Sequence, residues 1–408
     1  MEYPISKILA EEIKDSRSNL TIKVTVFIGD IYGSFSVPSG ASTGAHEAHE
    51  LRDADGKGVE NAIEKINNVI APVLIGKDVL NQHEIDRIMI ALDGTPNKNN
   101  LGGNSMIGVS IACAKAAAAV LRIETFEHLR TLAEMKPSRK IPHLYMNLIN
   151  GGKHAKNNLA FQEYLVVSNT ENISEAIENG ITIQETLKEI ISKELGESSL
   201  VLGDEGGYAP QTSDVKKPLL FLNEAIKKNN LEDKVRLALD VASSSFFDNG
   251  KYKVAGKDIS KNELMNLFNS LITEFNLLSI EDPFDEESFD DFENLKEDYS
   301  ELFVVGDDLT VTNAKLLQKA IDNDSINAMI IKPNQIGTLT ETLETMRLAR
   351  EHNIELIVSH RSGETDDDFI ADLAFAFNCF GMKAGSPIKP ERMVKYKRLE
   401  KISNLLNN

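Results

Sequence analysis

The chain has 408 residues, 41% hydrophobic and 26% charged, a size that suits one large domain with a smaller companion and a composition ordinary for a globular protein. Its 44 basic and 63 acidic residues give a formal charge of −19, which offers no basic face to nucleic acid or to an anionic membrane. An anionic small-molecule substrate is still permitted, because it needs only a local group of cations.

The first fifteen residues, MEYPISKILAEEIKD, hold no apolar core of the kind a secretory leader needs, so a cytoplasmic protein is expected. In that setting the sequon Asn172-Ile173-Ser174 carries no glycan. Residues 21–30, TIKVTVFIGD, alternate and are β-branched, as a half-buried strand should be. Residues 58–76 and 81–94 carry apolar side chains at three- and four-residue spacing and read as helices. SMIGVSIACAKAAAAVLRI follows, interrupted by Lys115 and rich in Ala, and is expected to be a buried helix and not a membrane span. Cys113 lies in it and Cys379 in a later apolar run; with no C-x-x-C, both read as core residues. Strands followed by helices predict an α+β domain over residues 1–133, with AEMKPSRKIP (133–142) as linker and a second domain over 134–408.

Two motif matches fall short. SGASTG lacks the Gly-Lys-Ser/Thr of a P-loop, and in HEAHE (46–50) the histidines stand three apart, where zinc on a helix needs four. They read as a loop and a helix start.

Beyond the linker the chain settles into a rhythm. Apolar runs close at Asp240, Glu281, Asp307, Lys332, His360 and Lys383, at intervals of 41, 26, 25, 28 and 23 residues, with helical patterns between them. One buried strand, one helix and two turns occupy roughly 25 residues, so the pattern predicts parallel strands alternating with helices, closed into a barrel. In such folds the carboxyl ends of the strands share one rim, where ligands bind. Asp240, Glu281 and Asp307 then converge, and three carboxylates that close need a cation; oxygen ligands suit Mg²⁺. The other reading is that each acid caps the helix that follows it. Lys332, directly after Met329-Ile330-Ile331, reads either as a general base whose pKa burial and a dication depress, or as a partner to the carboxylates. His360-Arg361-Ser362 offers an imidazole, a bidentate donor and a hydroxyl suited to phosphate or carboxylate. Together these suggest removal of a proton beside a carboxylate.

The motifs resemble those of the enolase family over nearly the whole chain. They include PSGASTGAHEAHELRD (38–53), MNLINGGKHAKNNLAFQEYLV (146–166), GDEGGYAP (203–210), SIEDPF (279–284), GDDLTVTN (306–313), IKPNQIGTLTET (331–342), SHRSGET (359–365) and MKAGSP (382–387). The resemblance implies an α/β fold, a modified (β/α)8 TIM-type barrel with an early antiparallel strand pair and a smaller N-terminal α+β domain. It implies Mg²⁺-dependent, reversible dehydration of 2-phosphoglycerate to phosphoenolpyruvate, with two ions per site, the second recruited with substrate. It assigns the first ion to Asp240, Glu281 and Asp307, and the second to Ser42. It makes Lys332 the base, Glu205 the acid assisted by Glu163, and puts His154 on a loop over the substrate. Lys383 binds the substrate carboxylate, and Arg361 and Ser362, with His360 beside them, bind its phosphate. A homodimer or larger homo-oligomer is implied.

Departures from the family pattern are Ser18 and Leu20 for Gly and Pro, Ser245 for an acid, Lys153 and Lys156 in a loop usually neutral, and Lys389-Pro390 for Arg-Ser. Two further readings stand beside the first: a related dehydratase or racemase acting on another carboxylic acid, and a non-catalytic scaffold that keeps the fold.

Overall fold

The computed structural model describes residues 2–40, 44–137 and 140–406. Three strands, β1 (Lys7–Lys14), β2 (Leu20–Ile28) and β3 (Ile31–Ser36), form an antiparallel meander in sequence order. The alternation in β2 puts Ile22, Val24 and Val26 on one fully buried face, as a period of two demands. That face packs on the helix Gly103–Leu121, which is apolar all round and covered on nearly every side. Long and apolar enough to cross a membrane, this helix is instead 83% buried over its most apolar window, as core. Contact is close enough that a Cβ on Gly33 would lie 2.1 Å from the Ala116 backbone nitrogen.

Ser18 stands in the turn between β1 and β2 at φ 66°, the left-handed geometry that glycine adopts without strain. The turn therefore keeps a glycine's shape without the glycine. Residues 46–50 depart from expectation: they are turn, bend and irregular chain, not the start of a helix. Their backbone is engaged over long range. The Ala48 N–H donates to the Gln335 carbonyl (2.7 Å), the His49 N–H to that of Asn97 (2.7 Å), and the His49 carbonyl accepts from Gly103 (2.7 Å). Those bonds take the groups a helical ladder would have used.

The second part is a closed barrel of eight strands. Its first three are β4 (His143–Asn150), β5 (Glu163–Ser168) and β6 (Val235–Asp240). A small sheet of β7 (Phe247–Asp248), β8 (Lys251–Val254) and β9 (Lys257–Ile259) intervenes, which accounts for the long interval of 41 residues. The barrel resumes with β10 (Ser279–Glu281), β11 (Phe303–Gly306), β12 (Ala328–Ile331), β13 (Glu355–Ser359) and β14 (Gly381–Lys383), which pairs with β4. β5 runs antiparallel to both neighbours; every other pairing is parallel. Two helices, Ile173–Leu195 and Lys217–Lys228, separate β5 from β6, and helices such as Phe289–Asp298 and Leu339–Glu351 separate the later strands.

Inside the barrel Tyr145, Leu165, Val167, Ala238, Val305, Ala328, Ile330 and Ile357 close into an apolar plug. The barrel is thus a packed core with one polar end. Register decides what stands there: Glu163 and Glu281 lie opposite Asp240 on its two sides, and Lys383 lies opposite Ser359.

Candidate active site

Two lysines organise the rim. Lys383, fully buried, extends its ammonium from the end of β14 to Asp240 (2.9 Å), Glu281 (2.8 Å) and Glu163 (3.2 Å). Lys332, one residue past β12, pairs with Asp307, one residue past β11. Burial pushes both ammoniums down, but the carboxylates around them override it and hold both above the ordinary lysine range. Among the protein's own groups Lys332 is therefore kept charged, which is the second of the two readings its sequence context allowed, a partner to the carboxylates.

The chain around this pair is strained. Val311 and Thr312, both β-branched, sit at φ 39° and 54°. The strain is held by bonds: the Thr312 hydroxyl donates to Gln335 Oε1 (2.8 Å) and accepts from the Lys332 N–H (2.9 Å). Gln335 in turn donates to Asp307 (3.0 Å). Asp282, also left-handed at φ 42°, accepts the N–H groups of Asp307 (2.9 Å) and Asp308 (2.7 Å). Strain at such a point, over-determined by its surroundings, is common at functional sites.

Across the rim stand Glu205, Glu163 and His154. His154 Nδ1 lies 3.5 Å from an oxygen of each carboxylate, and Asn147 donates to Glu205 (2.9 Å). The two acids are pushed apart. Burial, then the charge of Glu205, drives Glu163 well above the carboxylate range. Glu205 is pulled the other way: burial opposes its ionisation, while positive charge on the His360 and His154 rings, where they are protonated, and on the Arg392 guanidinium favours it. Two buried carboxyls with oxygens within 4.8 Å of one another are placed to hold one proton between them.

The third group follows β13. His360, Arg361 and Ser362 are all buried. Arg361 donates to Glu47 through both Nη1 and Nη2 (2.9 Å each) and to Asn334 (3.1 Å). The Arg361 N–H donates to Glu364 Oε1 (3.2 Å), and Lys395 pairs with Glu364 Oε2 (2.8 Å). His154, Glu163, Glu205, Asp307, Lys332, His360, Arg361, Ser362 and Lys383 all line one cavity of about 20 Å³, roughly the room of one water.

Every sequence-predicted site residue but one is thus placed at this rim; Ser42 lies outside the described residues. Asp240 and Glu281 share the Lys383 ammonium, while Asp307 bonds to Lys332 and Gln335. Among the described residues, the trios whose ligand atoms all lie within 4.8 Å of one another are His154-Glu163-Glu205 and Asp282-Asp307-Asp308. Lys153 and Lys156, the unusual loop lysines, are exposed, while His154 between them is buried.

A hard divalent cation fits this donor set. Four buried carboxylates, Asp240, Glu281, Asp282 and Asp307, have only the two lysine ammoniums as ion-pair partners among the described residues. Glu281 and Asp282 are pushed well above the carboxylate range, first by burial and then by acidic neighbours. The protein's own cations do not balance the rim, and oxygen ligands in excess suit Mg²⁺. Sequence reading missed Glu47, Gln335 and Arg392, whose partners lie far along the chain, and Asp282, whose only signal was its place beside Glu281.

Comparison with known proteins agrees with this geometry. The family model for the enolase N-terminal domain matches residues 5–129, and that for the enolase C-terminal TIM barrel domain matches residues 138–408. A protein named enolase from Methanocaldococcus jannaschii is 44% identical over 410 residues, covering 99% of this chain and 96% of its own. Enolases of Methanosarcina barkeri and Thermococcus kodakarensis are each 44% identical, covering 98% and 100% of this chain and 94% and 96% of theirs.

Proposed function

The chain belongs to the enolase family, and on that premise we propose how its residues divide the reaction. The reaction is that of a hydro-lyase, phosphopyruvate hydratase: reversible loss of water from 2-phosphoglycerate to give phosphoenolpyruvate, a glycolytic step. Enolase membership brings a divalent cation, Mg²⁺, which when bound neutralises negative charge gathering on the substrate carboxylate. Asp240, Glu281 and Asp307 would hold it, and Ser42 would reach a second ion arriving with substrate.

Lys332 takes the proton from the carbon beside the carboxylate. To act it must first lose its own proton, and the carboxylates around it resist that until their charge is met. Lys383 orients the substrate carboxylate, and Arg361, Ser362 and His360 receive the phosphate, which competes with Glu47 for Arg361. Departure of hydroxide needs a proton from the opposite side. Glu205 delivers it, drawing on the one proton it shares with Glu163, with His154 bridging the two. The observation that carries this reading is one cavity lined together by Lys332, the Glu205-Glu163 pair and the anion clamp of His360, Arg361 and Ser362. A scaffold released from chemistry has no use for both a base and an acid at one rim. We extend the reading to a homodimer or larger ring in the cytoplasm.

The test is Glu205→Gln assayed two ways, by dehydration and by exchange of the α-proton with deuterated solvent. Dehydration is expected to fall by 10²-fold or more while exchange persists. Equal loss of both would contradict the division between base and acid.

A further inference from the structure

Arg392, in the C-terminal helix Pro390–Leu406, is the bulkiest fully buried side chain among the described residues, and the reaction set out above gives it no task. Its Nη1 donates to His360 Nδ1 (2.6 Å) and to the Arg361 carbonyl (2.7 Å); its Nη2 donates to the Ser362 carbonyl (2.7 Å). A guanidinium has donors only and keeps its charge at any pH the protein meets. The ring nitrogen that accepts from it must therefore be bare, and in a neutral imidazole the hydrogen then belongs to Nε2. That Nε2 lies 3.3 Å from Glu205 Oε1, near but not aligned for a hydrogen bond, and has no other partner among the described residues. Gly385 makes the arrangement possible: a Cβ there would come 2.9 Å from His360 Cε1 and 3.2 Å from Arg392 Cδ.

We propose that Arg392 is a positioning residue that locks His360 as the neutral Nε2–H tautomer, so that the ring places an N–H beside Glu205 and never a full positive charge. This deepens, and rests on, the reading of Glu205 as a member of the acid pair. The charged groups facing the ring are Glu205 on the preceding glycine-rich loop, Arg392 on the last helix and Glu364 on its own segment. The two acids favour a second proton on the ring; burial and Arg392 oppose it and prevail, leaving its pKa at about 4. An imidazolium beside Glu205 would fix that carboxylate in its ionised form and deny it the proton it must deliver. A neutral donor leaves the proton free to pass between Glu163 and Glu205.

Nitrogen-15 NMR of the full chain labelled at histidine tests the lock directly, with His360→Gln identifying the signal. The expected result is a bare Nδ1 and a protonated Nε2 from pH 6 to 8. A protonated Nδ1, or an imidazolium at pH 7, overturns the proposal whatever Glu205 does. Arg392→Lys, which keeps the charge but loses the fork, tests the consequence. The acid limb of kcat should move up by about one to two pH units, with kcat falling more than KM changes. Should the wild-type tautomer be as stated while the acid limb of Arg392→Lys stays in place, the link from His360 to Glu205 is overturned. The wild-type spectrum stands even if that variant does not fold.

Discussion

Lys332 was open to two readings from sequence, a base with a depressed pKa or a partner to the carboxylates, and among the protein's own groups it is the partner. An ammonium after three apolar residues suggests desolvation and an easily lost proton, but Asp307, one residue past the neighbouring strand, lies within bonding reach. The direction of the pKa is set by that contact. Lys332→Ala should abolish turnover while circular dichroism and chromatographic behaviour stay unchanged; near-normal turnover would remove its role as base. His128 bears on stability instead. It is 2% exposed, its ring nitrogens have no hydrogen-bond partner among the described residues, and burial pushes it down to about 4. Because its pKa is lower folded than unfolded, as pH falls the unfolded chain takes the proton first. Its contribution is fully present above about pH 6.5 and lost towards pH 4, at up to about 1.4 kcal/mol per pH unit. Denaturant unfolding at pH 7 and pH 5 should show a smaller loss for His128→Phe than for wild type, and equal losses would contradict this. Glu47 and Arg392 could not be read from sequence, since nothing in HEAHE or KPER marks a partner far along the chain.

At the scale of elements, the barrel strands were legible because parallel strands covered on both faces are unbroken apolar runs, and a charge after such a run marks the rim. All six runs end at the edge of a strand or one residue beyond it. The orientation of β5 has no such local signature; only family resemblance implied an antiparallel pair, and β5 is antiparallel on both sides. The helix expected at residues 46–50 failed for the opposite reason, as long-range backbone bonds replaced a plausible local pattern. Close approach between elements is likewise hidden in single glycines. Gly33→Ala would drive a methyl into the backbone of the helix Gly103–Leu121, at 2.1 Å from Ala116 N. Overpacking of this kind costs about 1–3 kcal/mol, and denaturant unfolding should show a lower midpoint with the unfolding free energy reduced by that amount. An unchanged midpoint would mean that β3 and the helix separate more readily than their packing indicates.

Over the whole molecule, the N-terminal part supplies more than cover. Glu47 engages Arg361, Lys98 pairs with Glu341 (2.8 Å), and Arg398 of the last helix holds Asp372 (2.6 Å) and Glu124 (2.7 Å) together. The rim is therefore completed by a segment that composition alone assigns to a separate unit. Its net charge of −19 sits oddly with an anionic substrate until the local cations and an added metal are counted, which is why charge bounded the partners without naming the ligand. The most direct measurement gives the purified chain 2-phosphoglycerate with and without Mg²⁺ and follows ultraviolet absorbance of the enol product. The account predicts a rise that requires the metal and disappears with a chelator; a folded chain that shows no rise with Mg²⁺ present would contradict it.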